Sequence, residues 1–257
     1  MLKQKISPAQ TIPNLKAFLR APCTAGLSVS TGCSNYCSYC FVENEANRMG
    51  VPWRMRNLPI EHILSEASKL RGEIVQLPVT HDITPFNVEL CIQAISELVQ
   101  HNQVVVVTKP FEECIDAIIA AFSQEHLKRK ITFRISISSD DDTLLRKWEP
   151  GAPLYQERFH VLKKLHQLGW RVGANIAPML DIPNVVHLFR TLEPFCNDTI
   201  YVAKIAEGHL LKPRGALKAS DIEVLRQQHA DIEMLTSIHV QLQNSPAHPA
   251  QRASSAP

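Results

Sequence analysis

The chain has 257 residues, of which 45% are hydrophobic and 20% charged, with a formal net charge of +2. That length suits one α/β domain with a sizeable core, since single α/β barrels commonly run to roughly 250 residues. So even a charge balance excludes a strongly basic nucleic-acid binder, while leaving a local basic groove open.

Seven cysteines without secretory spacing point to a reducing compartment. The N-terminus carries Lys3 and Lys5 but no apolar h-region, and no run approaches the ~18 apolar residues of a membrane span. The expectation is a soluble, cytoplasmic protein with no membrane partner.

Residues 1–26 contain Pro8, Pro13 and Pro22 and read as an irregular lead-in, with one turn near Leu15 to Leu19. Leu27 to Ser30 alternates as a short strand and delivers a polar loop that continues to Pro59, through Trp53, Arg54 and Arg56. Ile60, Ile63, Leu64, Ala67 and Leu70 recur at helical spacing. Ile74 to Val79 is a second strand, and Asn87 is a candidate N-cap for the next helix. The run Val104 to Val107 has the continuous β-branched character of a buried parallel strand. Cys114 to Phe122 is helical, and Ile131 to Ser138 is the fourth strand. Asp140 to Asp142 caps a short helix, and Arg158 to Leu168 forms a longer one closed by Gly169. Val172 to Pro178, a helix over Val185 to Leu192, a sixth strand over Ile200 to Ile205 and a helix over Ser220 to Leu235 complete the series. Residues 27–243 form one domain, and the Pro-, Ala- and Ser-rich stretch 244–257 reads as a disordered tail.

Six alternations of strand and helix predict parallel strands with helices outside. Six units are too few to close an eight-stranded barrel, so the fold class is α/β, a partial (β/α)6 barrel of TIM type. Strand parity adds a clue. Phe133, Ile135 and Ile137 share one face while Arg134, Ser136 and Ser138 share the other. Likewise Val75 and Leu77 oppose Gln76, and Val172 and Ile176 oppose Asn175. With helices covering the apolar face, the interior is polar. Buried polar groups need partners, which points to a ligand cavity or to a self-satisfied hydrogen-bond network.

The chemistry is concentrated in the loop after the first strand, where Cys33, Cys37 and Cys40 stand at Cys-x3-Cys-x2-Cys spacing with no fourth cysteine nearby. Three thiolates on one loop suit three corners of an iron–sulfur cube and leave one iron without a protein ligand, the mark of a site that does chemistry. The plainer alternatives are free cysteines or a zinc site, though zinc usually takes paired Cys-x2-Cys ligands. The spacing, with Tyr39 just before the last cysteine, resembles the radical S-adenosylmethionine (SAM) superfamily. A second block resembles the branch containing spore photoproduct lyase and photolyase-like radical proteins. It runs from Ser139 through Trp148-Glu149-Pro150-Gly151-Ala152-Pro153 and Glu157-Arg158 to Gly173–Pro178, joined by Thr80 to Pro85 and Thr108-Lys109-Pro110. The resemblance covers about residues 27–206, and no counterpart of the lyase's C-terminal part is visible after Ile205.

That resemblance implies a six-unit barrel with a 4Fe–4S cluster on Cys33, Cys37 and Cys40 and SAM at the C-terminal strand ends. It implies reductive cleavage of SAM to methionine and a 5′-deoxyadenosyl radical that attacks an unknown substrate. The partners it implies are a reducing electron donor such as flavodoxin or ferredoxin and, through the lyase branch, nucleic acid. A non-catalytic zinc or iron–sulfur module serving a partner protein is the alternative. Within this frame Tyr39 and Asn175 are cofactor-site candidates, and Asp82 is a candidate for the SAM amino group. Lys109 and Arg158 are candidates for the SAM carboxylate, with ordinary ion pairs as the alternative. Ser136 and Ser138 are candidates for its ribose or methionine portion. His81, directly after the second strand, is a candidate for substrate selection, with a solvent-facing turn as the alternative.

Overall fold

The structure, a computed structural model, describes residues 22–204 and 218–230. The strands are β1 (Ala25–Gly26), β2 (Ser30–Thr31), β3 (Arg56–Asn57), β4 (Ile74–Leu77), β5 (Gln103–Thr108), β6 (Ile131–Ser136), β7 (Arg171–Ile176) and β8 (Ile200–Val202). The helices are α1 (Phe41–Arg48), α2 (Ile60–Ser68), α3 (Val88–Leu98), α4 (Glu112–Ala121), α5 (Glu125–Lys128), α6 (Asp142–Trp148), α7 (Tyr155–Gln167), α8 (Val185–Leu192) and α9 (Ala219–Ala230).

Six strands form one parallel sheet in the order β1-β4-β5-β6-β7-β8. Each follows its predecessor in space as well as in sequence, and helices link them. This is the partial (β/α)6 barrel expected from the alternation. The apolar strand face packs beneath the helices: Val75, Leu77, Phe133, Ile135, Ile137, Val172 and Ile176 are fully buried. Phe133 meets Trp170 edge to face at 5.2 Å, an arrangement aromatic quadrupoles favour. The opposite strand face is polar, as parity requires. Gln76, Ser136 and Asn175 line an interior cavity, while Arg134 is buried deeper and pairs with Asp198 at 3.2 Å.

Local chemistry explains where elements differ from expectation. The first strand is not Leu27 to Ser30 but the small pair Ala25–Gly26, aligned with Val75 and Gln76. Leu27 still donates to the Gln76 carbonyl at 3.0 Å. The chain then leaves the sheet because the Ser28 hydroxyl takes up the amides of Val79 and Thr80 at 3.3 and 3.1 Å. Ser30–Thr31 instead pairs antiparallel with Arg56–Asn57, a ribbon hidden in what reads as one long polar loop. Helix α1 was hidden there too, since its sequence is polar and only Val42 and Ala46 are buried. Strands β4 and β7 stop at Leu77 and Ile176 because Pro78 and Pro178 have no N–H for the ladder.

Asp141 caps α6, accepting from the amides of Thr143 and Leu144. Asn87 stands at the N-cap of α3, but its side chain turns back to accept from Thr84 N at 2.9 Å. Helix α9 docks through buried Ile222 and Leu225 and a 2.6 Å ion pair between Lys147 and Asp221. The expected lead-in turn, Ile205 and the stretch 244–257 lie outside the described residues. Among the described residues, no helix is long and apolar enough to cross a membrane.

Candidate functional site

A cavity of about 430 Å³ opens at the C-terminal ends of the strands, where barrels of this kind hold their chemistry. Cys33, Cys37 and Cys40 all line it. Their loop is shaped by two unusual backbone positions. Gly32 has φ +76°, and a Cβ there would lie 2.4 Å from the backbone of Arg54, so only glycine fits against the β3 segment. Tyr36, at φ 48°, makes the second left-handed turn and stands 60% exposed at the rim. Cys37 is buried, and Cys33 and Cys40 are half-buried.

Burial raises all three thiols, Cys33 to about 12, with Asp82 adding to its shift; Lys109 counters it in each case. The metal-free thiols are therefore protonated at neutral pH. Metal binding has to displace those protons. Among the described residues, no three His, Cys, Asp or Glu side chains converge on a single-ion site.

Three anchors hold this loop in place. His81 Nε2 accepts from the amides of Val29 and Ser30, both at 3.1 Å. That ring nitrogen must be bare, so Nδ1 carries the proton and donates to the Asp82 carbonyl at 2.9 Å. Burial lowers the His81 pKa, in keeping with a neutral ring. His81 does line the cavity, but it is neither solvent-facing nor free: its polar atoms fasten the chain that enters the cysteine loop.

Asp82 is the second anchor. Its Oδ2 accepts from Asn35 Nδ2 at 2.9 Å and Lys109 Nζ at 3.2 Å. Its Oδ1 accepts from Lys109 N at 2.7 Å and Thr108 Oγ1 at 3.1 Å. Burial pushes the carboxyl up, but Lys109, reinforced by these bonds, holds it below its usual range. The Lys109 ammonium also sits 5.8 Å from the centre of the Tyr39 ring, within cation–π range.

The third anchor is the segment after α6. Ser38 N donates to the Trp148 carbonyl at 2.8 Å, and Gly151 N donates to the Asn35 carbonyl at 3.1 Å. Buried Glu149 accepts from the Tyr39 hydroxyl, from Ser138 Oγ at 3.1 Å and from Arg158 Nη2 at 2.5 Å. Burial pushes Glu149 up, but Arg158, with Lys109 and Tyr39, holds it below the ordinary carboxylate range.

Of the residues singled out from sequence, the structure brings Cys33, Cys37, Cys40, Tyr39, Asp82, Lys109, Ser136 and Asn175 to one cavity. Two candidates stand elsewhere. Arg158 is not at the cavity: its guanidinium is fully buried, bonded to Glu149 and to the carbonyls of Pro153 and Ser136 at 2.6 and 3.2 Å. Ser138 is not there either, since its hydroxyl is turned to Glu149. Sequence reading gives no site role to Asn35, Glu149 or Trp53; the signal for Glu149 is a carboxylate in an apolar Trp-Glu-Pro context, where a buried charge demands a cation. On the inner wall the Asn175 Oδ1 is buried and has no hydrogen-bond partner among the described residues, so a polar ligand in the cavity would satisfy it.

Known proteins match this architecture. The family model described as the Radical SAM superfamily matches residues 27–189. An uncharacterized protein, ORF301, of the Acidianus two-tailed virus is 25% identical over 182 residues, covering 62% of this chain and 57% of that protein. A spore photoproduct lyase double mutant with bound AdoMet and dinucleoside spore photoproduct superposes with a TM-score of 0.58 at 18% identity. The match covers 89% of this chain and 66% of the lyase. SuiB of Streptococcus suis bound to S-adenosylmethionine superposes with a TM-score of 0.52 at 16% identity, over 80% of this chain and 47% of SuiB. The chain thus spans just over half of the viral relative and just under two thirds of the lyase. At these identities the two structures are alike in fold.

Proposed function

The chain belongs to the radical SAM superfamily, and from that premise we propose that Cys33, Cys37 and Cys40 hold a 4Fe–4S cluster beside a SAM-binding cavity. The observation that carries this reading is the delivery of three thiols from one loop to one polar-walled cavity at the strand ends. The donor set fits the group: among the described residues the lining contains these three cysteines and no fourth, which leaves one iron open for SAM. A mononuclear zinc site, the basis of the non-catalytic alternative, needs four converging donors. When bound, the two cofactors supply reductive cleavage of SAM to methionine and a 5′-deoxyadenosyl radical that takes hydrogen from substrate.

The protein's own residues bind and orient. Lys109, at the cavity with its ammonium beside Asp82, is placed to meet the SAM carboxylate. Asp82, with four donors already on its carboxylate, serves by holding Lys109 and the cysteine loop. The open acceptor of Asn175 and the hydroxyl of Ser136 are hydrogen-bonding positions for the polar parts of SAM. Tyr39 offers a ring face on the same wall.

Trp53 and Tyr36 line the cavity, and Arg54 and Arg56, close to Trp53 in sequence, are exposed. Aromatic faces with neighbouring guanidinium groups suit bases and phosphates, so a nucleic acid is the substrate class we favour. The lyase that superposes on this chain was captured with a dinucleoside. The reading also calls for a one-electron donor of the flavodoxin or ferredoxin type and a reducing compartment such as the cytoplasm, in which all seven cysteines stay free.

Anaerobic reconstitution with iron and sulfide tests the cofactor assignment. It should give a broad visible thiolate-to-iron absorption and about four irons per chain, the content of one such cluster. A colourless protein retaining one zinc would establish the non-catalytic alternative. Binding to single-stranded oligonucleotides that weakens with salt would support the substrate class, and its absence would remove it.

A further inference from the structure

We propose that Glu149 is a positioning residue for the cluster thiols, the centre of a clamp over residues 148–151 that shapes the cysteine loop before any metal arrives. The inference rests on the cluster reading above and adds to it a residue and a device.

Glu149 is only 1% exposed and lies 110 positions from Tyr39 in sequence, yet it accepts the Tyr39 hydroxyl. From the barrel side it is fixed by Arg158 at 2.5 Å and Ser138 at 3.1 Å. Arg158 is itself locked by two backbone carbonyls. A carboxylate tethered this way cannot follow the loop, so the loop has to follow it. The flanking backbone continues the grip: Trp148 O receives Ser38 N, and Gly151 N reaches Asn35 O.

The three contacts therefore fall in both intervals between the cysteines. Asn35 lies between Cys33 and Cys37, whereas Ser38 and Tyr39 lie between Cys37 and Cys40. Gly151 is required by the same contact, because a Cβ there would stand 2.1 Å from the Ser34 carbonyl oxygen. Burying an ion pair such as Glu149–Arg158 is weak ground for stability, since desolvation offsets much of the attraction. What it does supply is a fixed point. Residues outside a metal's own ligands that orient those ligands typically alter metal affinity 10- to 100-fold when changed.

The test compares Tyr39→Phe, Glu149→Gln, their double variant and Ser138→Ala with the wild type, as metal-free and as reconstituted protein. Tyr39→Phe keeps the ring and leaves the Glu149–Arg158 pair intact, so it carries the test even if Glu149→Gln fails to fold. The expected result is about 10-fold faster loss of iron to a chelator and an altered electron paramagnetic resonance line shape of the reduced cluster. The melting temperature of metal-free Tyr39→Phe should stay near the wild-type value. The double variant should fall short of the sum of the two single effects, because both substitutions change the Tyr39–Glu149 bond. Ser138→Ala, which removes one of the two tethers on the carboxylate but leaves the Arg158 pair, should move both readouts in the same direction and by less than Tyr39→Phe does.

Wild-type iron retention and line shape in Tyr39→Phe would overturn the clamp while leaving the cluster reading intact. So would a strictly additive double variant. A wild-type protein that takes up no cluster would overturn the cluster reading, and the clamp with it.

Discussion

The side-chain amide of Asn35 donates to the Asp82 carboxylate at 2.9 Å, which ties the middle of the cysteine loop to the end of β4. The same carboxylate holds the backbone and the ammonium of Lys109, so one aspartate joins the cysteine loop to the segments that follow β4 and β5. Its removal would strand a buried cation. Asp82→Ala should destabilise the metal-free protein by about 3–5 kcal/mol, the usual cost of breaking a buried pair from one side. It should also lower iron uptake. Chemical denaturation checks the first and iron content the second. A loss of SAM affinity with unchanged stability would instead make Asp82 a direct ligand of SAM.

His81 supports the loop from its entry. His81→Ala leaves the buried amides of Val29 and Ser30 without their shared acceptor, at about 1–3 kcal/mol for each unsatisfied group. Thermal unfolding of the metal-free variant should show a clear drop. An unchanged melting temperature combined with altered substrate preference would return His81 to the substrate-selecting role that its place in sequence suggests.

Much of this was legible in the sequence because the period of the pattern and the spacing of the cysteines are local signals. Alternation in Thr132–Ser138 separated Ile135, which packs under the helices, from Ser136, which reaches the cavity. The valine run of β5 marked a buried parallel strand, and it is one. What escaped was decided by contacts distant in sequence. Nothing local to Arg158 says that its guanidinium turns to Glu149 rather than to the cavity, and nothing local to Ser138 says that its hydroxyl follows. Leu27 to Ser30 alternates like a strand, yet the Ser28 hydroxyl captures two amides of the β4 loop and bends the chain out of the sheet. Helix α1 gave no period because only Val42 and Ala46 are buried.

The polar inner wall predicts a specific loss of affinity. Valine suits a strand, so Ser136→Val should keep the fold while removing a hydrogen bond worth on the order of 1 kcal/mol, or roughly fivefold in SAM dissociation constant. Calorimetric titration of the reconstituted protein with SAM checks this. Unchanged affinity would assign Ser136 to the internal network instead.

Acid should loosen the site through Glu149. Its carboxyl is held below the ordinary value of 4.5 in the folded protein. A group whose pKa is depressed on folding contributes stability that is complete above its unfolded value and lost as pH falls through the folded one. The melting temperature of the metal-free wild type should therefore fall increasingly below about pH 4.5. Glu149→Gln, if less stable at neutral pH, should show a shallower decline over that window. Parallel acid profiles would mean that Glu149 does not carry the dependence.

The most direct test of the account is 5′-deoxyadenosine formation by anaerobically reconstituted protein supplied with SAM and a strong one-electron reductant. The wild type and Cys91→Ala, whose thiol is buried in α3 away from the cavity, should both produce it. Cys37→Ala should produce none and should fail to retain a full complement of iron. No 5′-deoxyadenosine from cluster-loaded wild type, or wild-type amounts from Cys37→Ala, would contradict the assignment of this loop and cavity to radical SAM chemistry.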